Sequence, residues 1–509
     1  MNKKILLSVG ITILFLGITA IPLSQGTITK ESNNIISDGN TLYVGGYGPN
    51  NYTSIQGAIN DAIEGDTVYV FNDSSPYFEN LEIVKSINLI GEDKNSTIID
   101  GNRNSLCIWI RNSNGGRLSG FTIQNAQDEG VYVRNCDDMI FSDNIIRNNG
   151  VLSPRGPLCG MRISESKNCI VSGNIFKNNL HDGLMIFSAL AEHNIVFDNI
   201  FENNANFGLL LCSSQHDIVT GNVFRNNRCG GMWVCSLYST VTDNRFESNG
   251  IVMLYSADID FTDLHTIENN TVNGRQIRYY KNINRLTVPE DTGQVIATNC
   301  KNLTIRNLTL SDVSIGIELL NCSHCNISHN TINNNSLHGI SLVNTYRRSG
   351  NPMLQRSYSN SNIISRNIIC NNWDGIMIFN ACRNNSISEN HFENNTCAIN
   401  ITWHIDYHNY HFPYCYKPLN KPNFLNLFKK LFDLPFFLLF KPNDFRKNNF
   451  IENNRYVTFD YDSFLFARWK GNYWNEPQKG PFPIYGTFSG YSWVNYDWHP
   501  AQEPFDIET

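Results

Sequence analysis

The chain has 509 residues, of which only 17% are charged, and a formal charge of −7; soluble domains usually carry roughly 25% charged residues. Such a length permits a large buried core. The mild acidity shows neither the basic footprint of a nucleic-acid binder nor a polyacidic tail, so nucleic acid is excluded as a partner.

Residues 1–26 read as an export segment. Lys3 and Lys4 precede an unbroken apolar run, 5–21, and polar sequence begins after Ser24. The run approaches the roughly 20 residues that cross a bilayer, and no sharp small-x-small cleavage site stands out. It is therefore expected either to be removed or to stay as an anchor, placing the protein outside the cell, on its surface or in the periplasm. No cysteine comes after the run to make a lipoprotein anchor. The 14 cysteines are scattered, mostly at repeat positions, which suggests packing more than a disulfide framework. Sequons such as Asn302-Leu-Thr and Asn326-Ile-Ser point weakly to surface location.

Residues 40–110 are expected to form an N-terminal cap and the first coils. Thr53 with Gln56 makes a capping box, and Ile55, Ala58, Ile59, Ala62 and Ile63 share a helical face that Gly65 ends. This helix would cover the open end of the stacked coils.

From 111 to 400 one phrase recurs: Asn, a bulky apolar residue two places on, a pair of Asn, then Gly. Its first Asn falls at Asn144, Asn174, Asn199, Asn222, Asn244, Asn307, Asn330, Asn367 and Asn390, and again at Asn449. Two places on stand Ile146, Phe176, Phe201, Phe224, Phe246, Ile332, Ile369, Phe392 and Ile451; Gly183, Gly208, Gly231, Gly316 and Gly339 close several repeats. A period near 23 built of short β-favouring runs fits one turn of an all-β solenoid, a parallel β-helix. Coils stacked about 4.8 Å apart would set Phe on Phe inside and Asn on Asn at the turns. After each Gly the first and third residues are apolar and face in. Met185, Phe187, Leu210, Cys212, Trp233 and Cys235 then form an outward apolar stripe, either covered by another part of the chain or a binding surface. Cys212 and Cys235 fall at equivalent positions on adjacent coils, close enough for a disulfide or for two stacked free thiols.

Two interruptions, near 275–298 and 344–361, are expected to project as arms, and 401–447 is a hydrophobic and aromatic insertion. Residues 448–509 read as a last coil and an aromatic C-terminal cap; the tail from "ARWKGNYWNEP" onward is read as having lost the repeat. The sequence resembles the NosD-like right-handed parallel β-helix proteins of the pectate-lyase-like superfamily, over roughly residues 40–509. The resemblance rests on "SIQGAINDAIEGDTVYV", "PYFENLEIVKSINLIGEDKNSTIIDG", the repeats, "NNTVNGRQIRYYKN", "GQVIATNCKNLTIRNLTLSD" and "KGNYWNEP". It implies an exported or surface-held β-helix. In denitrifying bacteria the named relative serves, with an ABC transporter, to deliver material for a copper enzyme; the repeats here hold neither a Met-rich nor a His-rich tract. Signature sets of pectin methylesterases and polygalacturonases are missing, and the fold alone does not supply a function.

Three constellations are candidates for chemistry. Residues before the repeat Gly include Glu129, Asp182, His338 and Asp374; His338 and Asp374 are expected side by side, as a base and its orienting carboxylate or as solvated turn residues. Arg347, Arg348, Arg356 and Trp373 would receive an acidic glycan there. His404, His408 and His411, at i, i+4 and i+7, would share a face and hold copper or zinc if the segment is helical, and are otherwise histidines of an aromatic surface loop. The apolar segment 424–440 would pack on the β-helix or lie in a membrane interface. Three functions are the resulting expectations: a non-catalytic envelope protein binding a glycan or surface protein, an enzyme acting on acidic polysaccharide, or a metal-handling accessory protein.

Overall fold

The computed structural model describes residues 39–150, 158–253, 264–344, 359–379, 382–402, 442–459, 467–488 and 491–507. The export segment 1–26, the arginines Arg347, Arg348 and Arg356, the histidines His404, His408 and His411, and the segment 424–440 all lie outside these residues.

The one helix among the described residues, Ile55–Asp61, starts one residue later than its expected capping box. Ser54 is the N-cap, its Oγ accepting the Gly57 N–H at 3.2 Å. The Glu79 carboxylate takes the free N–H groups of Ile55 and Gln56 at 2.8 and 2.9 Å. Gln56, expected to close the box, instead bonds the backbone of Glu82. At the other end Lys85 Nζ gathers the carbonyls of Ile59, Asn60 and Ala62. The helix therefore stops before Gly65 and leaves Ile63 exposed.

Short parallel strands succeed it in a fixed rotation. Arg117–Ser119, Thr122–Gln124 and Val131–Arg134 make one coil; Ile140–Ser142, Ile145–Arg147 and Met161–Ser164 make the next, paired in register with the first. Rings stack inside as expected, Phe176 on Phe201 at 4.9 Å, Phe201 on Phe224 at 4.8 Å and Phe224 on Phe246 at 4.7 Å.

The Asn pair divides its labour. Asn148, Asn178, Asn203 and Asn226 adopt left-handed φ between 53° and 55° and turn the chain. Their neighbours Asn149, Asn179, Asn204 and Asn227 are buried, each donating its side-chain amide to the Asn one coil on. The phrase-opening Asn forms a second ladder: Asn144, Asn174, Asn199, Asn222, Asn244 and Asn270 are joined by Nδ2 to Oδ1 bonds of 2.9–3.1 Å. Each Oδ1 also accepts the backbone N–H of the preceding Asn. Every buried amide at these corners is thereby satisfied. The repeat Gly serves contact, not φ: a Cβ on Gly208 would lie 2.8 Å from both Gly231 O and Phe201 Cβ.

Residues 275–298 are not a projecting arm. Asn273 and Gly274 both have positive φ, 50° and 78°, the two-residue turn that a hairpin requires. Arg275–Lys281 consequently pairs antiparallel with Thr271–Val272 and parallel with Thr292–Thr298. Strand direction reverses there, and a second solenoid begins, linked to the first through one 15-stranded sheet. Its coils carry matching ladders, Asn330–Asn367–Asn390–Asn448–Asn472 and Asn335–Asn372–Asn395–Asn453.

Two expected anchors shift by one place. Leu308, not Asn307, feeds the ladder, and Asn448, not Asn449, continues it with Phe450 inside. The "GNYW" segment is a further repeat and not a departure: Asn472 extends the ladder and Trp474 stacks on Phe450 at 4.5 Å. The ladder ends on Asp497, a buried carboxylate that accepts the Asn472 amide, the Asn472 and Gly471 N–H groups and the Trp474 indole. Beyond it lies the antiparallel hairpin of Phe482–Phe488 and Tyr491–Asp497. Of the insertion 401–447, residues 401–402 and 443–446 belong to strands Cys397–Thr402 and Asn443–Arg446, and 403–441 lie outside the described residues.

Candidate functional site

The outward stripe of the first solenoid is covered at four of its six places, with Phe187 and Cys235 half-buried beside them. Met185, Leu210, Cys212 and Trp233 are each at most 3% exposed, in one cluster with Ile296, Leu320, Val343, Met377 and Phe379 from the outward face of the second. Polar bonds fix the seam between the solenoids. The Gln294 amide brackets Ile251, accepting its N–H at 3.1 Å and donating to its carbonyl at 2.7 Å. Ser336 Oγ donates to Cys229 O at 3.0 Å, and Glu318 Oε2 accepts the Met253 N–H at 3.2 Å. Cys212 and Cys235 stand opposite each other in register.

His338 and Asp374 open strands His338–Val343 and Asp374–Phe379 and stand directly opposite in register. His338 Nδ1 lies 3.1 Å from Asp374 Oδ2, at ion-pair distance though not aligned as a hydrogen bond. Asp374 Oδ2 also receives the Asn400 amide at 3.1 Å. The juxtaposition read from the sequence is present, but the solvated turn is not: both side chains are 2% exposed. Trp373, next to Asp374 in the chain, is 39% exposed. The first solenoid has its own such pair, His181 Nδ1 at 2.8 Å from Asp182 Oδ2. Glu129 is raised above the usual carboxylate range, mainly by burial, although Arg162 stands 3.7 Å away.

Burial pushes the Glu318 carboxyl up to about 8, while the Met253 N–H that it accepts pulls the other way. At neutral pH it is therefore protonated, which suits the apolar seam.

A second cluster lies outside the seam and is absent from the candidates that the sequence suggests. Cys370, His391 and Glu393 each offer one donor atom within 4.8 Å of the others. They occupy the places one and three past the phrase-opening Asn, outward on the strand whose middle residue is the stacked Ile or Phe. Alternation in "NIIC" and "NHFE" carries that signal, which the more regular alternation of the strand after the repeat Gly outweighs.

At the C-terminal end a cleft of about 560 Å³ is lined by Arg455, Tyr456, Thr458, Trp474, Phe482 and Tyr485 among others. Tyr485 is exposed, and Trp474 stacks on Phe482 at 4.3 Å.

Comparison with known proteins accords with this architecture. Residues 59–278 match the family described as periplasmic copper-binding protein (NosD), and 240–410 match the right handed beta helix region. No curated protein matches. Among solved structures, the A-module of mannuronan C-5 epimerase AlgE6 of Azotobacter vinelandii is 14% identical over 68% of this chain and 90% of its own, with a TM-score of 0.29. PfbA, a surface adhesin of Streptococcus pneumoniae, is 13% identical over 66% of this chain and 80% of its own, at 0.31. An alginate lyase from Paenibacillus sp. str. FPU-7 is 8% identical over 69% and 95%, at 0.29.

Copper, which the family description names, is not well matched by the donors described. Trigonal copper sites take two imidazoles and a thiolate, whereas the one three-donor cluster among the described residues has a single imidazole beside its thiol and carboxylate. With parallel strands and two ladders per coil, the chain is a parallel β-helix repeat protein that is similar to the NosD family over residues 59–278.

Proposed function

We infer that the protein is an exported β-helix of the cell envelope that binds its ligand without transforming it. One observation carries the reading: the side chains of the His338–Asp374 pair, the best candidate for general acid–base work, are each 2% exposed. A polymeric substrate needs reacting groups within hydrogen-bond reach, and this pair meets protein instead. The pair then acts as a buried polar rivet, and the accessible faces are left to binding. The periplasmic description of the matching family supports an envelope location. Among the described residues no helix is long and apolar enough to cross a membrane.

The ligand class favoured is a glycan, in the cleft beside Tyr456 and Tyr485, because aromatic faces stack on sugar rings while Arg455 supplies a cation for an acidic one. The test is to incubate the protein with polyuronides, assay released unsaturated or reducing ends, and measure oligouronide binding by calorimetry. Binding that falls in Tyr485→Ala, with no product released, is the expected result. Product release abolished in His338→Ala would replace this reading with an enzyme.

A further inference from the structure

Cys370, His391 and Glu393 stand on the outward face of the six-stranded sheet of the second solenoid. Strands Ile368–Cys370 and His391–Glu393 are parallel neighbours, with Ile368 opposite His391 and Cys370 opposite Glu393. Ile369 and Phe392 point inward and are fully buried; strand alternation therefore turns the three donors outward together. His391 Nε2 is 3.1 Å from Glu393 Oε2, and the two side chains are 24% and 40% exposed, so an ion from solvent reaches them. On the preceding coil Asn333 sits opposite Cys370. Its Oδ1 is buried with no hydrogen-bond partner, a condition rare enough in native structures to need a reason.

We propose that Cys370, His391 and Glu393 form a zinc site with its fourth position open to water. Sulfur, imidazole nitrogen and carboxylate oxygen are the three donor types zinc accepts, at about 2.0–2.3 Å each. From their present spacing, small side-chain rotations bring the donors onto one ion. On binding, the Cys370 S–H bond breaks, the Zn–S bond forms and the proton passes to solvent. His391 supplies a ring lone pair, and Glu393 exchanges its contact with the imidazole for the cation. A water on the open position has a partner within reach in the Asn333 amide oxygen. Because successive coils are locked by the ladders, the backbone carrying the three donors is set before the ion arrives. The site is independent of the glycan reading and stands or falls separately from it.

The test uses the full chain, freed of metal by chelation. Zn²⁺ is titrated by calorimetry, and Cd²⁺ by the ultraviolet charge-transfer band of a thiolate–metal bond. The expected result is one equivalent bound. Affinity should fall in Cys370→Ser, His391→Ala and Glu393→Gln by at least the roughly 10–100-fold that loss of even an outer partner costs a metal site. The thiolate band should vanish in Cys370→Ser, and a variant with His404, His408 and His411 changed to Ala should still bind. All three substituted residues face outward, and circular dichroism checks that the solenoid is retained. Absence of binding, binding unchanged in the three variants, or binding lost only in the triple histidine variant would each overturn the proposal.

Discussion

In the first solenoid the inner position two places past the ladder Asn runs Ile146, then Phe176, Phe201, Phe224 and Phe246 in one ring stack, then Val272; in the second the same position runs Leu310, Ile332, Ile369, Phe392, Phe450 and Trp474. The first keeps its ladder partners 22–30 residues apart, whereas the second spans 37 residues from Asn330 to Asn367 and 58 from Asn390 to Asn448. The ladder bonds are nonetheless alike, 2.9 Å for Asn330 to Asn367 and 3.1 Å for Asn390 to Asn448. Register is thus set by amide capture at the corners, and neither chain length nor the identity of the core residue alters it.

The sharpest way to break that comparison is to remove one rung from each solenoid. Asn222 and Asn367 make equivalent bonds: two accepted from the preceding Asn and donations to two carbonyls and to the next Oδ1. Asn222→Ala and Asn367→Ala should each lose on the order of 3 kcal/mol or more, since each orphaned buried group costs about 1–3 kcal/mol. Denaturation midpoints that fall in only one solenoid would show that the ladders are not equivalent. Core identity should matter less but locally. Ile369→Phe is expected to cost about 1–3 kcal/mol, because Ile369 Cγ2 already sits 3.2 Å from the place of a Cβ on Gly339 and on Gly375. A neutral result would mean that the ring stack can be extended coil by coil.

The seam is sharpened by pH. The Glu318 carboxyl is held at about 8 by burial, above its ordinary 4.5, so the unfolded chain releases a proton that the folded chain keeps. Stability from this group falls as pH rises from about 4.5 to about 8. Glu318→Gln should flatten that slope, with a gain in thermal midpoint that is larger at pH 8 than at pH 5; an equal gain at both would count against a neutral Glu318. The smallest effect belongs to the turns. Ser248, at φ 50° where its counterparts are Asn, should tolerate Gly with a change within about 1 kcal/mol, relief of the left-handed penalty being offset by unfolded-chain entropy.

Much of the fold is legible in the sequence because its rules are local and repeated. The period, the inward Phe positions and the side-by-side placement of His338 and Asp374 all come from counting residues along equivalent coils. What escapes is information between coils. Asn273-Gly274 is a strong hairpin signal, yet inside a run of Asn-rich turns it reads as one more turn, and its reversal of strand direction is visible only when Arg275–Lys281 finds its partners. That reversal brings two apolar faces together; His338 and Asp374 are themselves buried, so the solvated-turn reading of the pair fails. The outward cluster of Cys370, His391 and Glu393 is legible in principle, since it needs only the two-residue alternation of adjacent coils.

The ladders also have a sense of direction. Each Asn presents its carbonyl to the preceding coil and its NH₂ to the next one, so the amide dipoles add head to tail, positive toward the C-terminal coil, opposite to the polarity of an α-helix. Neighbouring rungs polarise one another as they align. A row of this kind calls for a donor at its start and an anion at its end, and the ladder of the second solenoid has both: the Leu308 N–H meets Asn330 Oδ1, and the Asp497 carboxylate receives Asn472. Asp497 is thus the counter-charge of an electret running the length of the solenoid.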